Sequence, residues 1–201
     1  MYFYLFIIIS FFAGIFLTIR FFGTLLDFIT EHSNGRGVKN GPWRTHLGVG
    51  RKNIPRIEKA AIACIGLGAN NSDETIYWNA FTDTEGRALF SGNTYRLRFR
   101  RHPLVDFKAN GFWSITVYGQ DKFLVPNDAF RYEYNSHHCF RTSDTGEFAI
   151  LLSRSDPADG SEWLPLPLND EKFSLALRCY VPKEDMKKNA GQNTLPDIMQ
   201  L

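Results

Sequence analysis

The sequence predicts an all-β fold, an antiparallel jelly-roll-like β-sandwich, preceded by an N-terminal transmembrane helix and one short soluble helix. Three observations carry this reading. From Glu74 onward apolar and polar residues alternate with period two in several short runs, the pattern of strands that bury one face. Turn residues separate those runs at roughly ten-residue spacing, which suits a sandwich better than an α/β fold. The first 19 residues, in contrast, carry no charged side chain.

Met1–Ile19 is almost wholly apolar, with only Ser10 and Thr18 available for a polar stripe. At a rise of ~1.5 Å per residue it spans roughly 28 Å, about the hydrocarbon thickness of a bilayer. An uncleaved anchor is expected rather than a cleaved signal peptide, because no Lys or Arg precedes the run and no A-x-A follows it. Arg20, Arg36 and Lys39 flank its C-terminal side. Taken literally, the positive-inside rule would place the globular part in the cytoplasm, although Arg20 can snorkel to an interface on either side.

Residues 1–29 therefore read as anchor and juxtamembrane segment, and 30–53, rich in Gly, Asn, Ser and Lys, as a linker or irregular arm. Residues 54–201 read as a helix plus a β-sandwich domain. Asn53 can cap that helix and Pro55 suits its first turn. Ile54, Ile57, Ala61, Cys64 and Leu67 share one face, and Gly68 is a suitable stop.

The strands follow in order. Thr75–Thr82 ends at an Asp83-Thr84-Glu85-Gly86 turn, and Tyr95, Leu97 and Phe99 alternate with Arg96, Arg98 and Arg100. Trp113, Ile115 and Val117 alternate with Ser114, Thr116 and Tyr118. Gly119-Gln120-Asp121 then supplies turn chemistry, so Phe123-Leu124-Val125 is expected to return as the second arm of a hairpin. Phe148, Ile150 and Leu152 follow an Asp144-Thr145-Gly146 turn. Last, Phe173, Leu175, Leu177, Cys179 and Val181 form one face, with Ser174, Ala176, Arg178 and Tyr180 on the other. The polar tail after Pro182 is expected to pack only through Leu195, Pro196, Ile198 and Leu201.

An ordered set of short motifs runs through these elements: Gly41-Pro42-Trp43-Arg44, Gly66-Leu67-Gly68, Tyr77…Thr82-Asp83…Gly86-Arg87, Phe112 to Tyr118, and Phe123 to Asn127. Arg131-Tyr132, Trp163-Leu164-Pro165 and Leu177 to Pro182 complete it. In this order they resemble the bacterial family named domain of unknown function 1214, over about residues 41–200. The resemblance implies a jelly-roll-like sandwich and a short, N-terminally anchored form facing the periplasm of Gram-negative bacteria. That would make the chain a single-pass inner-membrane protein held by residues 1–19. It also implies a plausible partner, a separately encoded protein of domain of unknown function 1254. It brings no established activity. Glu162 stands where relatives often have Asn, and Cys179 where an apolar residue is usual.

Two constellations are candidates for binding. Arg96, Arg98 and Arg100, with Arg101 beside them, could hold phosphate or carboxylate groups of lipid headgroups or an anionic envelope polymer. The competing reading is a solvated strand face with edge-protecting charge. The second set is Trp78, Trp113, Tyr118, Arg131, Tyr132, Trp163 and Arg178, aromatic platforms with a few donors that would suit a sugar or peptide. Trp113 and Trp163 are equally what a sandwich core requires, and Arg178 is equally a buried ion-pair partner.

Other chemistry is not expected. A net charge of +2 argues against nucleic acid, and no GxSxG, P-loop or GxGxxG occurs. His137 and His138 are adjacent and would point to opposite faces of a strand. His102 or Cys139 could join one of them only by coincidence of the fold, so no metal or other cofactor is expected. Three cysteines, Cys64, Cys139 and Cys179, form no even-numbered framework. The expectation is a membrane-anchored envelope protein that binds a partner protein or an envelope glycan or lipid. The alternative is an enzyme acting on such a carbohydrate or lipid in a cleft lined by Tyr118, Arg131 and Trp163.

Overall fold

The computed structural model describes residues 2–35, 37–65, 69–100, 107–138, 140–144 and 146–201. Of these, the side chains at 2, 19, 22–35, 57, 58, 61, 64, 65 and 107–110 are not among those described. Arg101, His102 and Cys139, singled out above, lie outside the described residues, as do residues 66–68. In chain order the elements are α1 (Tyr2–Gly35), β1 (Val38–Asn40), β2 (Trp43–Thr45), α2 (Arg56–Ile65), β3 (Thr75–Ala80), β4 (Tyr95–Phe99) and β5 (Phe107–Tyr118). There follow β6 (Glu133–Asn135), β7 (Phe148–Ser153), β8 (Trp163–Pro165), β9 (Ser174–Pro182), α3 (Glu184–Lys188), a 3-10 turn (Ala190–Gln192) and β10 (Asp197–Gln200).

The chain divides into two compact units, Met1–Arg36 with Lys52–Ala69, and Gly37–Arg51 with Asn70–Leu201. The first contains α1 and α2. Among the described residues no helix is long and apolar enough to cross a membrane, so the transmembrane helix expected from the sequence is found only as a helix. The aromatic residues of α1 are bare: Phe3, Phe6, Phe11, Phe12 and Phe16 are 63–70% exposed. The second helix starts later than its sequence suggests. The Pro55 carbonyl accepts the Lys59 N–H at 3.1 Å, so Pro55 rather than Asn53 stands at its head.

The second unit is a two-sheet β structure. One sheet has the order β1-β2-β3-β9-β5-β6 and the other β10-β4-β7-β8. All pairs are antiparallel except β7 with β8, which run parallel. The strand order is therefore six plus four with one parallel pair, in place of the wholly antiparallel jelly roll expected. The inner faces interdigitate as the period-two pattern requires: Ile76, Trp78, Trp113, Ile115, Leu175, Leu177 and Cys179 from one sheet meet Tyr95, Leu97, Phe99, Ile150 and Leu152 from the other, all at most 1% exposed. Aromatic rings bridge the layers, with Phe99 stacked on Trp113 at 5.2 Å and on Phe148 at 4.3 Å.

Three differences from the sequence reading have clear causes. The hairpin after Tyr118 closes by a single bridge, Tyr118 to Leu124. Its second arm cannot extend, because the Asp121 carboxylate takes the Phe123 N–H at 2.9 Å, Lys122 is left-handed at φ 68°, and Pro126 lacks a donor. The edge of β5 is taken by β6 instead. Second, residues 38–45 are not an irregular arm but two paired strands turned at Gly41, φ 59°, and Trp43 at their end pairs with Ala80 of β3. Third, the tail does more than rest on the core. Strand β10 pairs with β4 along its length, Met186 and Ala190 are buried with Ile198, and the Pro196 carbonyl accepts the Trp43 indole N–H at 2.8 Å.

The Asp83 turn fastens that tail. Asp83, 1% exposed, accepts from Glu85 N (3.0 Å), Arg87 N (2.9 Å) and Arg87 Nε (2.7 Å). Thr84 N donates to the Ile198 carbonyl at 2.9 Å, and Ile198 N donates back to Thr84 Oγ1 at 2.8 Å. Burial pushes the Asp83 carboxyl up, but the Arg87 bonds and charge with the Glu85 amide outweigh it and hold the group below the ordinary aspartate value. A depressed folded-state value contributes stability that is present above the unfolded value, about 3.9, and is lost as pH falls through the folded value. Asp83→Asn is expected to cost about 2 kcal/mol at pH 7. In urea titrations the gap between the two proteins should narrow as the pH drops below about 4; a pH-independent gap would contradict the ion pair.

Candidate functional site

The feature best suited to chemistry is the outer face of the six-stranded sheet. Because β9 lies between β3 and β5, the residues opposite its core face line up across four strands. One row reads Tyr77, Arg178, Ser114, Asn135, and the next Asn79, Ala176, Thr116, Glu133. In an edge strand these positions would face water. Here Ser114, Thr116, Ser174 and Ala176 are all buried, at 1–8% exposed, so the polar face of β9 is covered at its centre. Small residues form the floor, and Tyr77, Tyr118 and Tyr180 stand around it, partly buried. Tyr180 is stacked on Phe112 at 4.2 Å.

Arg178 is the charge on this floor. Its Nη1 donates to Thr116 Oγ1 at 2.9 Å, its Nη2 donates to the Tyr118 hydroxyl, and its guanidinium lies 5.5 Å from the Tyr118 ring centroid. Four described arginines pair with carboxylates, Arg87 with Asp83, Arg98 with Glu147, Arg100 with Asp197 and Arg154 with Asp170, and Arg131, like Arg178, does not. Among the described residues Arg178 bonds to hydroxyls and makes no ion pair with a carboxylate. Ser114 Oγ, one register step away, is buried with no hydrogen-bond partner among the described residues.

The remaining predicted residues go elsewhere. Trp78 and Trp113 are fully buried between the sheets, and their indole nitrogens have no hydrogen-bond partner among the described residues. Arg131 and Trp163 do meet, but beside Tyr134. The Arg131 guanidinium lies 5.7 Å from both the Tyr134 and the Trp163 ring centroids and donates to the Trp163 carbonyl at 3.3 Å. Asn127 holds this loop by accepting from Arg131 N at 2.9 Å and donating to Val125 and Arg131 carbonyls at 3.0 and 3.1 Å. Tyr132 is partly buried beside it. Arg131 thus fastens the 125–131 loop against β8, while Tyr118 and Arg178 form a separate pair on the sheet face.

In the arginine row Arg96 is exposed, whereas Arg98 and Arg100 are paired with Glu147 at 2.9 Å and Asp197 at 2.7 Å. The hydrogen bond that Arg100 Nε donates to Asp197 Oδ2, acting with the carboxylate's charge, raises the Arg100 value further. Burial pushes the Cys179 thiol far up, so it is held as an unreactive core residue. Among the described residues no group of three His, Cys, Asp or Glu is placed to hold a metal ion. His137 and His138 are both exposed. Ser114, Thr116, Tyr77 and Asn79 escaped the sequence reading. Their one signal was the polar alternation Ser114-x-Thr116-x-Tyr118 opposite the Trp113 face.

A family profile described as "Protein of unknown function (DUF1214)" matches residues 74–184. The chain is also similar to the VPA0106 protein of Vibrio parahaemolyticus in its crystal structure, at 21% identity and a TM-score of 0.57, over 90% of this chain and 42% of that one. An uncharacterised protein from Burkholderia cenocepacia is similar at 13% identity and a TM-score of 0.47, over 72% of this chain and 33% of that one. The chain therefore spans well under half the length of these solved structures. No curated protein matches it.

Proposed function

This chain belongs to the DUF1214 family of proteins of unknown function, and from that premise we propose that it is a membrane-anchored envelope protein whose β-sandwich acts by binding. The ligand meets the outer face of the six-stranded sheet. The observation that carries this reading is the partly buried Arg178, whose guanidinium on the outer sheet face bonds to two hydroxyls and lies over the Tyr118 ring, with no ion pair to a described carboxylate. A charge withheld from its own fold is available to a ligand.

The anchoring part is supported by residues 1–19, which carry no charged side chain, and by the bare aromatic surface of α1, Phe3 to Phe16. Water does not stabilise a helix that is apolar all round, whereas hydrocarbon does. Orientation follows from the family resemblance, with the sandwich on the periplasmic side.

The full chain should stay with membranes through an alkaline carbonate wash, and a reporter fused after Leu201 should be active in the periplasm. Recovery in the aqueous supernatant, or a reporter active only in the cytoplasm, would overturn the respective part. For binding, Arg178→Gln removes the guanidinium from this face, and at an unchanged melting temperature it is expected to abolish co-sedimentation of the detergent-solubilised full chain with purified envelope fragments. Leu168→Trp, at an exposed site elsewhere, should leave co-sedimentation unchanged. Equal retention of both variants would sink the sheet-face reading.

A further inference from the structure

The positive charge of this chain is concentrated in one stretch. Residues 36–59 hold seven Lys and Arg against a single acidic residue, Glu58, whereas the rest of the chain holds 16 Lys and Arg against 20 Asp and Glu. The overall net charge of +2 hides this separation. The stretch follows directly on α1, which ends at Gly35, and its basic side chains from Lys39 onward are all exposed.

Each compact unit turns its share of these charges outward. In the β unit, Lys39 of β1 stands directly opposite Arg44 of β2, a like-charge pair that costs the fold stability. Arg51 follows, also exposed. In the helical unit α2 packs against α1, and Lys52, Arg56 and Lys59 are exposed at and just before its start. Lys59 Nζ donates only to a carbonyl, that of Lys52, at 2.7 Å. None of these six makes an ion pair with a described carboxylate. In the arginine row from Arg96 to Arg100, by contrast, Arg98 and Arg100 are already held by Glu147 and Asp197.

We propose that this basic stretch, and not the arginine row, binds the anionic headgroups of phospholipids in the bilayer that holds α1. The inference rests on the anchoring of α1 and is separate from the ligand of the sheet face. On the anchoring reading only residues 30–35, a helical rise of roughly 9 Å, separate the stretch from the apolar segment. That lies within the ~10 Å over which charge is felt at 0.1 M salt. Charge complementarity then selects the occupant, since clustered Lys and Arg beside an embedded helix are drawn to anionic lipid. Headgroup phosphates line both faces of a bilayer, so the inference holds for either orientation.

The probe is an equimolar pair of phospholipids, phosphatidylglycerol and zwitterionic phosphatidylcholine with the same acyl chains, in neutral-detergent micelles. The full chain, immobilised through a C-terminal tag, is washed with these micelles, and the retained lipids are counted by mass spectrometry. Total lipid reports on α1, and the ratio of the two reports on the basic stretch. Phosphatidylglycerol should be enriched about fivefold or more, the gain from one Lys or Arg near a charged surface. The enrichment should vanish at about 1 M salt, where charges are screened within roughly 3 Å. The triple variants Lys39→Gln/Arg44→Gln/Arg51→Gln and Lys52→Gln/Arg56→Gln/Lys59→Gln should each lower the ratio and leave the total unchanged. Arg96→Gln/Lys172→Gln/Lys188→Gln, at exposed positions elsewhere, should change neither. A ratio near one in the parent chain, triple variants that keep the parent ratio, a control that lowers it equally, or duplex DNA bound in place of lipid would each overturn the inference. A ratio near one at full lipid retention would leave the anchoring standing, whereas retention of neither lipid would bring down both.

Discussion

Ending the chain after Asn193 is expected to unfold the β-sandwich at moderate temperature. The loss removes β10 and with it Ile198, which is fully buried, at about 2–3 kcal/mol for the side chain alone. It also strands two groups. The Trp43 indole N–H loses the Pro196 carbonyl, and a buried donor left unsatisfied costs roughly 1–3 kcal/mol. Thr84 loses both of its bonds to Ile198. Strand β4 then becomes a bare sheet edge carrying Tyr95, Leu97 and Phe99, open to pairing with other chains. The sum is comparable to the whole stability of an ordinary domain, about 5–15 kcal/mol. Urea titration followed by tryptophan emission reads the effect, with Leu201→Ala as a control at an exposed position. A truncated chain with an unchanged midpoint would show that β10 contributes nothing.

The second large effect is expected at Trp113. Its ring, on β5 of the larger sheet, is stacked with Phe99, Phe140 and Phe148 at 5.2, 5.7 and 6.2 Å. Truncation to Ala empties this aromatic stack from its middle and should cost about 3–5 kcal/mol. Trp113→Phe should cost much less, roughly 1–2 kcal/mol, because the lost volume is partly offset. The indole nitrogen is buried with no partner among the described residues, so the phenyl ring leaves no acceptor stranded. Thermal unfolding of the two variants tests the ordering. A Phe variant as damaged as the Ala variant would mean that the indole nitrogen has a partner.

Much of the fold was legible because a half-buried strand repeats every two residues. Tyr95 to Phe99, Trp113 to Tyr118, Phe148 to Leu152 and Phe173 to Cys179 all alternate, and all four are strands with the expected face inward. The Asp83-Thr84-Glu85-Gly86 turn was legible from local chemistry, since an Asp that accepts nearby amides and a Gly at φ 89° need no distant partner. Strands β1, β2 and β10 were not. At three or four residues each they are too short to display a period, and they are strands only because a neighbour's edge lies open to them.

The candidate site divides along the same line. Alternation separated Trp113, Ile115 and Val117 from Ser114, Thr116 and Tyr118 and residue types marked the uncharged opening run, but they left Trp113 and Trp78 as candidates for a binding set, and the structure buries both between the sheets. Which strands lie beside β9 is a matter of contacts between residues 56 to 105 positions apart, from Tyr118 with Ser174 to Thr75 with Tyr180, and no local pattern encodes it. Only the tertiary structure placed β9 between β3 and β5. That single adjacency set Arg178 against Thr116 and Tyr118, kept it from any described carboxylate, and moved Arg131 and Trp163 into a different cluster.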